Sequence, residues 1–201
     1  MKNRLILASR SPRRLELLSQ LGLDFDVIPS KAKEALIEGE TPDTHVLRLA
    51  EEKAMDVARQ HPDRWVIGAD TIVCVEDAIL GKPRDRQEAL EMLTRLSGRE
   101  HHVYSGFAVR HAQKGVNDRQ ASKTAVRVKS LMRSEMEWYV ATGESLDKAG
   151  GYAIQGIGAF MIESIRGSYS NVVGLPMCEL IQMMNRLGAI SIARDGWQIN
   201  P

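Results

Sequence analysis

The sequence predicts an α/β fold, a mixed sheet with helices on its faces. Three observations predict it. Short apolar runs of strand length alternate with segments of helical periodicity, each helix carries its own start or stop signal, and two long strand-like runs in the middle flank a polar turn. Alternating helices and strands with a hairpin among them call for a sheet that mixes parallel and antiparallel pairs.

Arg4 to Ala8 reads as a short buried strand. Ser9-Arg10-Ser11-Pro12 then turns the chain into a helix with apolar positions Leu15, Leu17, Leu18 and Leu21, Ser11 as N-cap, Pro12 at the first helical position and Gly22 as the stop. Asp24 to Pro29 is a second strand, and a polar loop from Ser30 to Glu40 leads to a helix that Thr41-Pro42 opens and that ends near Gln60. Strands follow at Trp65 to Ala69 and Thr71 to Val75, with a turn at Asp77-Ala78. Asp85-x-x-Glu88 has the form of a capping box, continued by Ala89, Leu90, Leu93 and Leu96 up to Gly98. The runs His101 to His111 and Arg119 to Val128 flank a turn containing Gly115 and Asn117-Asp118, which reads as a hairpin. Ser134-x-x-Glu137 starts a short helix stopped at Gly143, and the glycine-rich segment Gly150 to Gly158 precedes a strand at Ala159 to Ile165. After a turn at Gly167-Ser168, Pro176 opens a last helix to Gly188. Ala189 to Pro201 reads as a loosely held polar tail with Trp197, to which no role is assigned.

With 201 residues, 43% hydrophobic and 26% charged, the chain has the composition of a folded globular protein. Its length suits a single domain over residues 1–201, with two lobes around a cleft. The 27 basic and 26 acidic residues leave a net charge of +1, so no global basic field speaks for nucleic acid as a partner. An anionic ligand has to be held by a local cluster. No signal-peptide pattern opens the chain and no apolar run approaches the ~20 residues of a membrane span, so the expected location is cytoplasmic, away from membranes. Cys74 and Cys178 are too isolated for a disulfide framework or a zinc site and are expected to be reduced and buried. His101 and His102 are strand neighbours that point to opposite faces, which suits a structural role better than metal binding.

Several motifs carry chemistry. Ser9-Arg10-Ser11-Pro12-Arg13-Arg14 combines a helix N-terminus with arginines, the two devices that bind phosphate. The arginines could also be a solvated first turn, but cations at the positive end of a helix dipole call for an anion, with Arg13 the first choice and Arg14 the next. Gly68-Ala69-Asp70-Thr71 places a carboxylate and a hydroxyl where a strand emerges from the core, and ligands of open α/β sheets sit at such strand ends. With Glu34 on the polar loop, Asp70 could bind magnesium or manganese and activate water, or it could simply form a turn. Lys53 within a helix and Lys82 in Gly81-Lys82-Pro83 read on their own as solvated surface lysines. In Asp147-Lys148-Ala149-Gly150-Gly151-Tyr152-Ala153-Ile154-Gln155-Gly156, glycines permit close approach of a ligand and the Gln155 amide can read a base edge, with a tight connecting loop as the alternative.

Taken together, these blocks resemble the Maf family of nucleotide pyrophosphatases over nearly the whole chain. The matching pieces are Leu7-Ala8-Ser9-x-Ser11-Pro12-Arg13-Arg14, Glu34, Arg48-Leu49-Ala50-x-x-Lys53-Ala54, Gly68-Ala69-Asp70-Thr71, Gly81-Lys82-Pro83, Asp147 through Gly156, and Gly167-Ser168-Tyr169-x-Asn171-Val172-Val173-Gly174-Leu175-Pro176. The resemblance implies an elongated α/β fold related to the inosine triphosphate pyrophosphatases, with the nucleotide in a cleft between two lobes and often a homodimer. It implies that Ser9, Arg13, Lys53 and Lys82 hold the triphosphate, that Glu34 and Asp70 serve a divalent cation, and that Asp70 is the proton acceptor. Thr71 after the aspartate and Gln155 in an Ile-Gln-Gly ending are the marks of the branch acting on dTTP and UTP. The 7-methyl-GTP branch instead carries glutamine after the aspartate and Ser-Glu-Gly, which this chain lacks. Lys33 departs from the acidic residue usual before Glu34, leaving magnesium and manganese as alternatives. The implied reaction converts a pyrimidine nucleoside triphosphate, normal or modified, to monophosphate and pyrophosphate. The rival reading is a nucleotide-binding regulator of cell division with little turnover.

Overall fold

A computed structural model describes residues 5–76, 78–194 and 196–200. The strands are β1 (Leu5–Leu7), β2 (Phe25–Val27), β3 (Val66–Val75), β4 (Ala78–Leu80), β5 (Glu100–His111), β6 (Val116–Val128), β7 (Ile162–Arg166), β8 (Ile190–Ala193) and β9 (Gly196–Ile199). The α-helices are α1 (Pro12–Ser19), α2 (Pro42–Ala58), α3 (Arg86–Leu96), α4 (Arg133–Ala141), α5 (Tyr169–Val173) and α6 (Met177–Arg186). The main sheet runs β2-β1-β3-β5-β6-β7 with β4 added to β3. β1 pairs parallel with β2 and β3, whereas β3–β4 and β6–β7 are antiparallel, so the sheet is mixed as the alternation predicts. Among the described residues no helix is long and apolar enough to cross a membrane.

The chain divides into two compact units. The first holds residues up to Asp70, Ser105–Ser122 and everything from Gly174 onward; the second holds Thr71–Tyr104 and Lys123–Val173. In the first unit the decisive feature is how closely α2 lies on the sheet. Ala50, Ala54 and Ala58 form a stripe of methyl groups one helical turn apart, packed with Ile6, Ala8, Val66 and Ala108. Gly68 on β3 and Gly106 on β5 complete it by having no side chain. A Cβ at Gly68 would stand 2.2 Å from the Ala50 carbonyl oxygen, and one at Gly106 would stand 2.3 Å from the Val46 carbonyl oxygen. Helix backbone therefore rests directly on strand backbone. The second unit has its own core, with Val73, Leu93, Leu96, Val126, Tyr139 and Met161 among its members.

Local signals match in part. Ser11 caps α1 and Pro12 opens it, Thr41 caps α2 with Pro42 first, and Asp85 accepts from the Glu88 amide at the start of α3. The Glu88 carboxylate turns to the Arg84 amide at 2.6 Å, so the reciprocal half of the expected box closes one residue early. Glu135, not Glu137, caps α4 by accepting from the Met132 amide, while Glu137 pairs with Arg133. Gly115, at φ 67°, closes the hairpin turn through its amide to the Ala112 carbonyl, so Asn117 and Asp118 belong to β6. The two strands expected on either side of Asp70 are one strand, β3, and Asp70 lies within it. The turn expected at Asp77-Ala78 falls on Asp77, outside the described residues, and Ala78 opens β4. Gly156–Met161 form a 3-10 helix before β7, because Glu144 accepts from the amides of Ile157 and Gly158 at their start. Cys178 is exposed, since α6 turns Leu180, Met183 and Met184 inward instead; Cys74 is buried. The segment after Gly188, expected to be loose, forms the β8–β9 hairpin, anchored by buried Ala189 and Ile190 and by Trp65 Nε1 donating to the Asn200 carbonyl at 3.1 Å.

Candidate active site

The first unit gathers most of the residues the sequence singles out. Ser9, two residues beyond the buried end of β1, is itself buried, and its hydroxyl accepts from the Ser11 amide and from Arg14 Nη1, both at 3.2 Å. Arg14, on the first turn of α1, is 8% exposed. Its Nη1 also donates to the Ala69 carbonyl and its Nε to the Gly174 carbonyl, each at 2.8 Å. This guanidinium ties the α1 N-terminus to the backbone beside Asp70 and to the segment before α6. Burial pushes its pKa below the ordinary value, and the carboxylates of Asp70 and Glu34 oppose that push. Arg13, one residue earlier, is partly exposed.

Asp70 does not sit at a strand end, yet it is the polar centre of the site. It is buried within β3, and Lys53 from α2 reaches it. Lys53 Nζ lies 2.7 Å from Asp70 Oδ1 and 2.5 Å from Glu34 Oε1. The close seating of α2 on Gly68 makes this possible, since Lys53 precedes Ala54, whose amide nitrogen would stand 2.6 Å from a Gly68 Cβ. Lys53 is thus a buried lysine, not a solvated one. Two carboxylates share one cation in a largely buried place, which is how proteins make such charges tolerable.

Among the described residues no group of three or more His, Cys, Asp and Glu converges to form an all-protein metal cage. Two hard carboxylate oxygens already gathered around an ammonium do suit magnesium or manganese. Such ions are commonly held by one or two carboxylates completed by water and phosphate oxygens.

Glu34 stands on a segment, residues 28–41, that forms neither helix nor strand, and its side chain is 54% exposed. Arg48 grips Glu40 at the far end of that loop, with Nε at 2.5 Å and Nη2 at 2.7 Å from the two carboxylate oxygens. His45 Nδ1 lies 2.9 Å from Glu40 Oε2. Arg48's hydrogen bonds push the Glu40 carboxyl down to about 2. Arg48, Glu40 and Asp56 carry no functional signal of their own in the sequence, Arg48 only as part of a motif block.

Thr71, Lys82 and Gln155 belong to the second unit. Thr71 is half-buried on β3, Lys82 is exposed on the loop after β4, and Gln155 is half-buried just before the 3-10 helix. The Lys82 loop and the glycine-rich segment are joined by the Gly150 amide donating to the Gly81 carbonyl at 2.9 Å. Further bonds brace that segment: Tyr152 Oη lies 2.6 Å from His101 Nε2, and the Ala153 amide donates to Tyr139 Oη.

A family model described as Maf-like protein matches residues 4–187. The dTTP/UTP pyrophosphatase of Syntrophus aciditrophicus (strain SB) is 50% identical over 192 residues, covering 96% of this chain and 94% of that protein. The dTTP/UTP pyrophosphatase of Geotalea uraniireducens (strain Rf4) is 51% identical over 189 residues, covering 94% and 97%. The solved Ham1 protein of Staphylococcus aureus gives a weaker likeness, with a TM-score of 0.42 at 14% identity over 79% of each chain.

Proposed function

The chain belongs to the Maf family, and on that premise we propose that it is a pyrophosphatase that hydrolyses dTTP and UTP, and modified pyrimidine nucleotides of the same shape, to monophosphate and pyrophosphate. The observation that carries this reading is the buried Asp70–Lys53 pair joined by the half-exposed Glu34, beside a helix N-terminus lined by Ser9 and the arginines. A site that only bound a polyanion would have no use for two carboxylates there, which speaks against a purely regulatory nucleotide-binding role.

Glu34 and Asp70 are the residues that would hold a magnesium or manganese ion, and such an ion supplies neutralisation of phosphate charge and acidification of a bound water. The remaining chemistry falls to the chain itself. Asp70 accepts the proton of the attacking water, as its burial and its place in the cluster suit. Lys53 orients Asp70 and offsets its charge. Arg13 and Lys82 hold phosphate oxygens while the bond between the α- and β-phosphates breaks, with its electron pair leaving on pyrophosphate. Ser9 joins them at the α1 N-terminus, with its hydroxyl already directed by Arg14. Thr71 and Gln155 select the base. We place this activity in the cytoplasm, where thiols such as exposed Cys178 stay reduced.

The test is pyrophosphate release from dTTP, UTP, CTP, GTP, ITP and modified pyrimidine triphosphates, with magnesium or manganese and with Asp70→Asn as control. Release favouring dTTP and UTP, dependent on metal and lost in Asp70→Asn, is expected. Tight binding of nucleotide without release would move the role to regulation.

A further inference from the structure

Glu34 is a candidate metal carboxylate carried by a segment with no regular structure, and something has to fix it. Between residues 30 and 40 hydrophobic burial does not, because the large apolar residues there, Leu36 and Ile37, are 65% and 53% exposed. The fixing groups are polar, and they come from one stripe of α2.

At the loop's start, Asp56 Oδ2 accepts from Ser30 Oγ at 2.9 Å and from the Lys31 amide at 2.7 Å, and Ser30 Oγ accepts in turn from the Ala32 amide. These bonds hold the Asp56 carboxyl below its usual range, the Lys31 amide contributing most. At the loop's end, Arg48 holds both oxygens of Glu40 and donates to the Ala35 carbonyl at 2.9 Å, next in sequence to Glu34. Arg48 and Asp56 are eight residues apart on α2, so they lie on one face two turns apart, and Lys53 lies between them in sequence. The helix that carries the ammonium thus also holds the loop that brings Glu34 to it.

We propose that Arg48 and Asp56 are positioning residues that clamp the two ends of residues 30–40 onto α2 and so present Glu34 beside Lys53 and Asp70. This rests on the reading of Glu34 as a metal carboxylate. Without a clamp the loop samples arrangements in which Glu34 is absent from the site. The apparent metal affinity then falls by the fraction of time Glu34 is present. Arg48 works by its planar fork, which lysine cannot reproduce.

The experiment compares Arg48→Met, Arg48→Lys and Asp56→Ala, each singly, with Glu34→Gln and the unaltered chain. Hydrogen–deuterium exchange is read on peptides covering residues 30–40 and, separately, on α2. The half-saturating Mn2+ concentration for dTTP hydrolysis and kcat at saturating Mn2+ are read alongside. Faster exchange in 30–40 with α2 still protected is expected in all three clamp variants. The Mn2+ requirement should rise about tenfold for Arg48→Met and Asp56→Ala, as expected if the competent loop population drops to about a tenth, with kcat changed less than the metal requirement. Arg48→Lys should not restore the original requirement. Unchanged exchange in 30–40 would overturn the clamp, whatever the activity. If Glu34→Gln left the metal requirement untouched while exchange rose in the clamp variants, the clamp would stand and the role of Glu34 would fall. The two ends are tested by separate variants, so an Arg48 variant that fails to fold leaves Asp56→Ala to decide.

Discussion

Lys53 Nζ lies 2.7 Å from Asp70 Oδ1, and both side chains are less than a tenth exposed. A pair this buried is held by mutual compensation, so removing one member leaves the other charged and poorly solvated. Lys53→Met should therefore destabilise the fold by about 3 kcal/mol, with Glu34, half in solvent, recovering little of it. The double variant Lys53→Met/Asp70→Asn should regain much of that loss, because no carboxylate charge is then left behind. Urea denaturation of the two single variants and the double variant measures the coupling. Strictly additive losses would show that the pair is not coupled in the fold.

Gly68 is the second lever on the same geometry. A methyl group there would meet the Ala50 carbonyl oxygen at 2.2 Å and the Ala54 amide nitrogen at 2.6 Å, both of them backbone atoms that no side-chain rotation can clear. Gly68→Ala must push α2 off β3 and carry Lys53 away from Asp70. The expected cost is at least ~2 kcal/mol of stability, together with a fall in kcat larger than any change in KM for the nucleotide. Steady-state kinetics beside thermal unfolding checks this, and a variant with full kcat would remove Gly68 from the argument.

The sheet class, most helix starts and the chemistry-bearing residues were legible because they rest on local patterns: Pro12 and Pro42 opening helices after capping hydroxyls, and motif blocks such as Gly68 to Thr71. What escaped depends on distant partners. A carboxylate interrupting an apolar run reads as a strand end, whereas Asp70 lies inside β3 because Lys53 compensates it there. The polar ending of the chain looked loose, yet Trp65, far away in sequence, takes the Asn200 carbonyl and the strand pairing does the rest. Arg48 and Asp56 look like ordinary charges of a solvated helix face until the loop is folded back on them. The Gly68 motif could be recognised, but its reason, the helix backbone above it, could not.

His101 sets an acid limit on the second unit. Burial, and then the neighbouring His102, push its pKa down to about 4 from an ordinary 6.5. Its Nδ1 is buried without a hydrogen-bond partner, so a proton added there would have nothing to bond. The folded form therefore prefers the neutral ring, while the unfolded chain takes up a proton as the pH drops below about 6.5. Stability from this group is present above that value and is lost as pH falls from about 6.5 toward 4. Between pH 7 and pH 5 the loss should be about 2 kcal/mol. His102 and His111 are also shifted down by burial and share the window, so the comparison is with His101→Gln, whose loss over the same interval should be smaller by that amount. Glu40, depressed to about 2, gives up its contribution as pH falls from the ordinary 4.5 toward 2 and so stays out of this interval. Equal pH slopes for His101→Gln and the unaltered chain would refute the assignment.

Arg14 and Arg13 are adjacent, yet they should fail in different ways. Arg14 donates from Nη1 to the Ala69 carbonyl and Ser9 Oγ and from Nε to the Gly174 carbonyl, three acceptors for one buried side chain. A lysine has three donors but all on one nitrogen, whereas these acceptors are met by Nε and Nη1 of a planar guanidinium, so Arg14→Lys leaves buried acceptors unpaired at roughly 1–3 kcal/mol for each lost partner. Ser9 and the backbone beside Asp70 would lose their support together. The expected result is a fold weakened by about 2–4 kcal/mol and a kcat/KM lowered by a similar factor for every nucleotide, since no base contact is altered. Arg13→Lys, on a partly exposed side chain, should leave stability within ~0.5 kcal/mol and act instead through a higher KM. Denaturation midpoints and kinetics on dTTP, UTP and GTP separate the two. An Arg14→Lys protein as stable as the unaltered chain, with only its KM raised, would make Arg14 a ligand of the substrate and not a strut of the site.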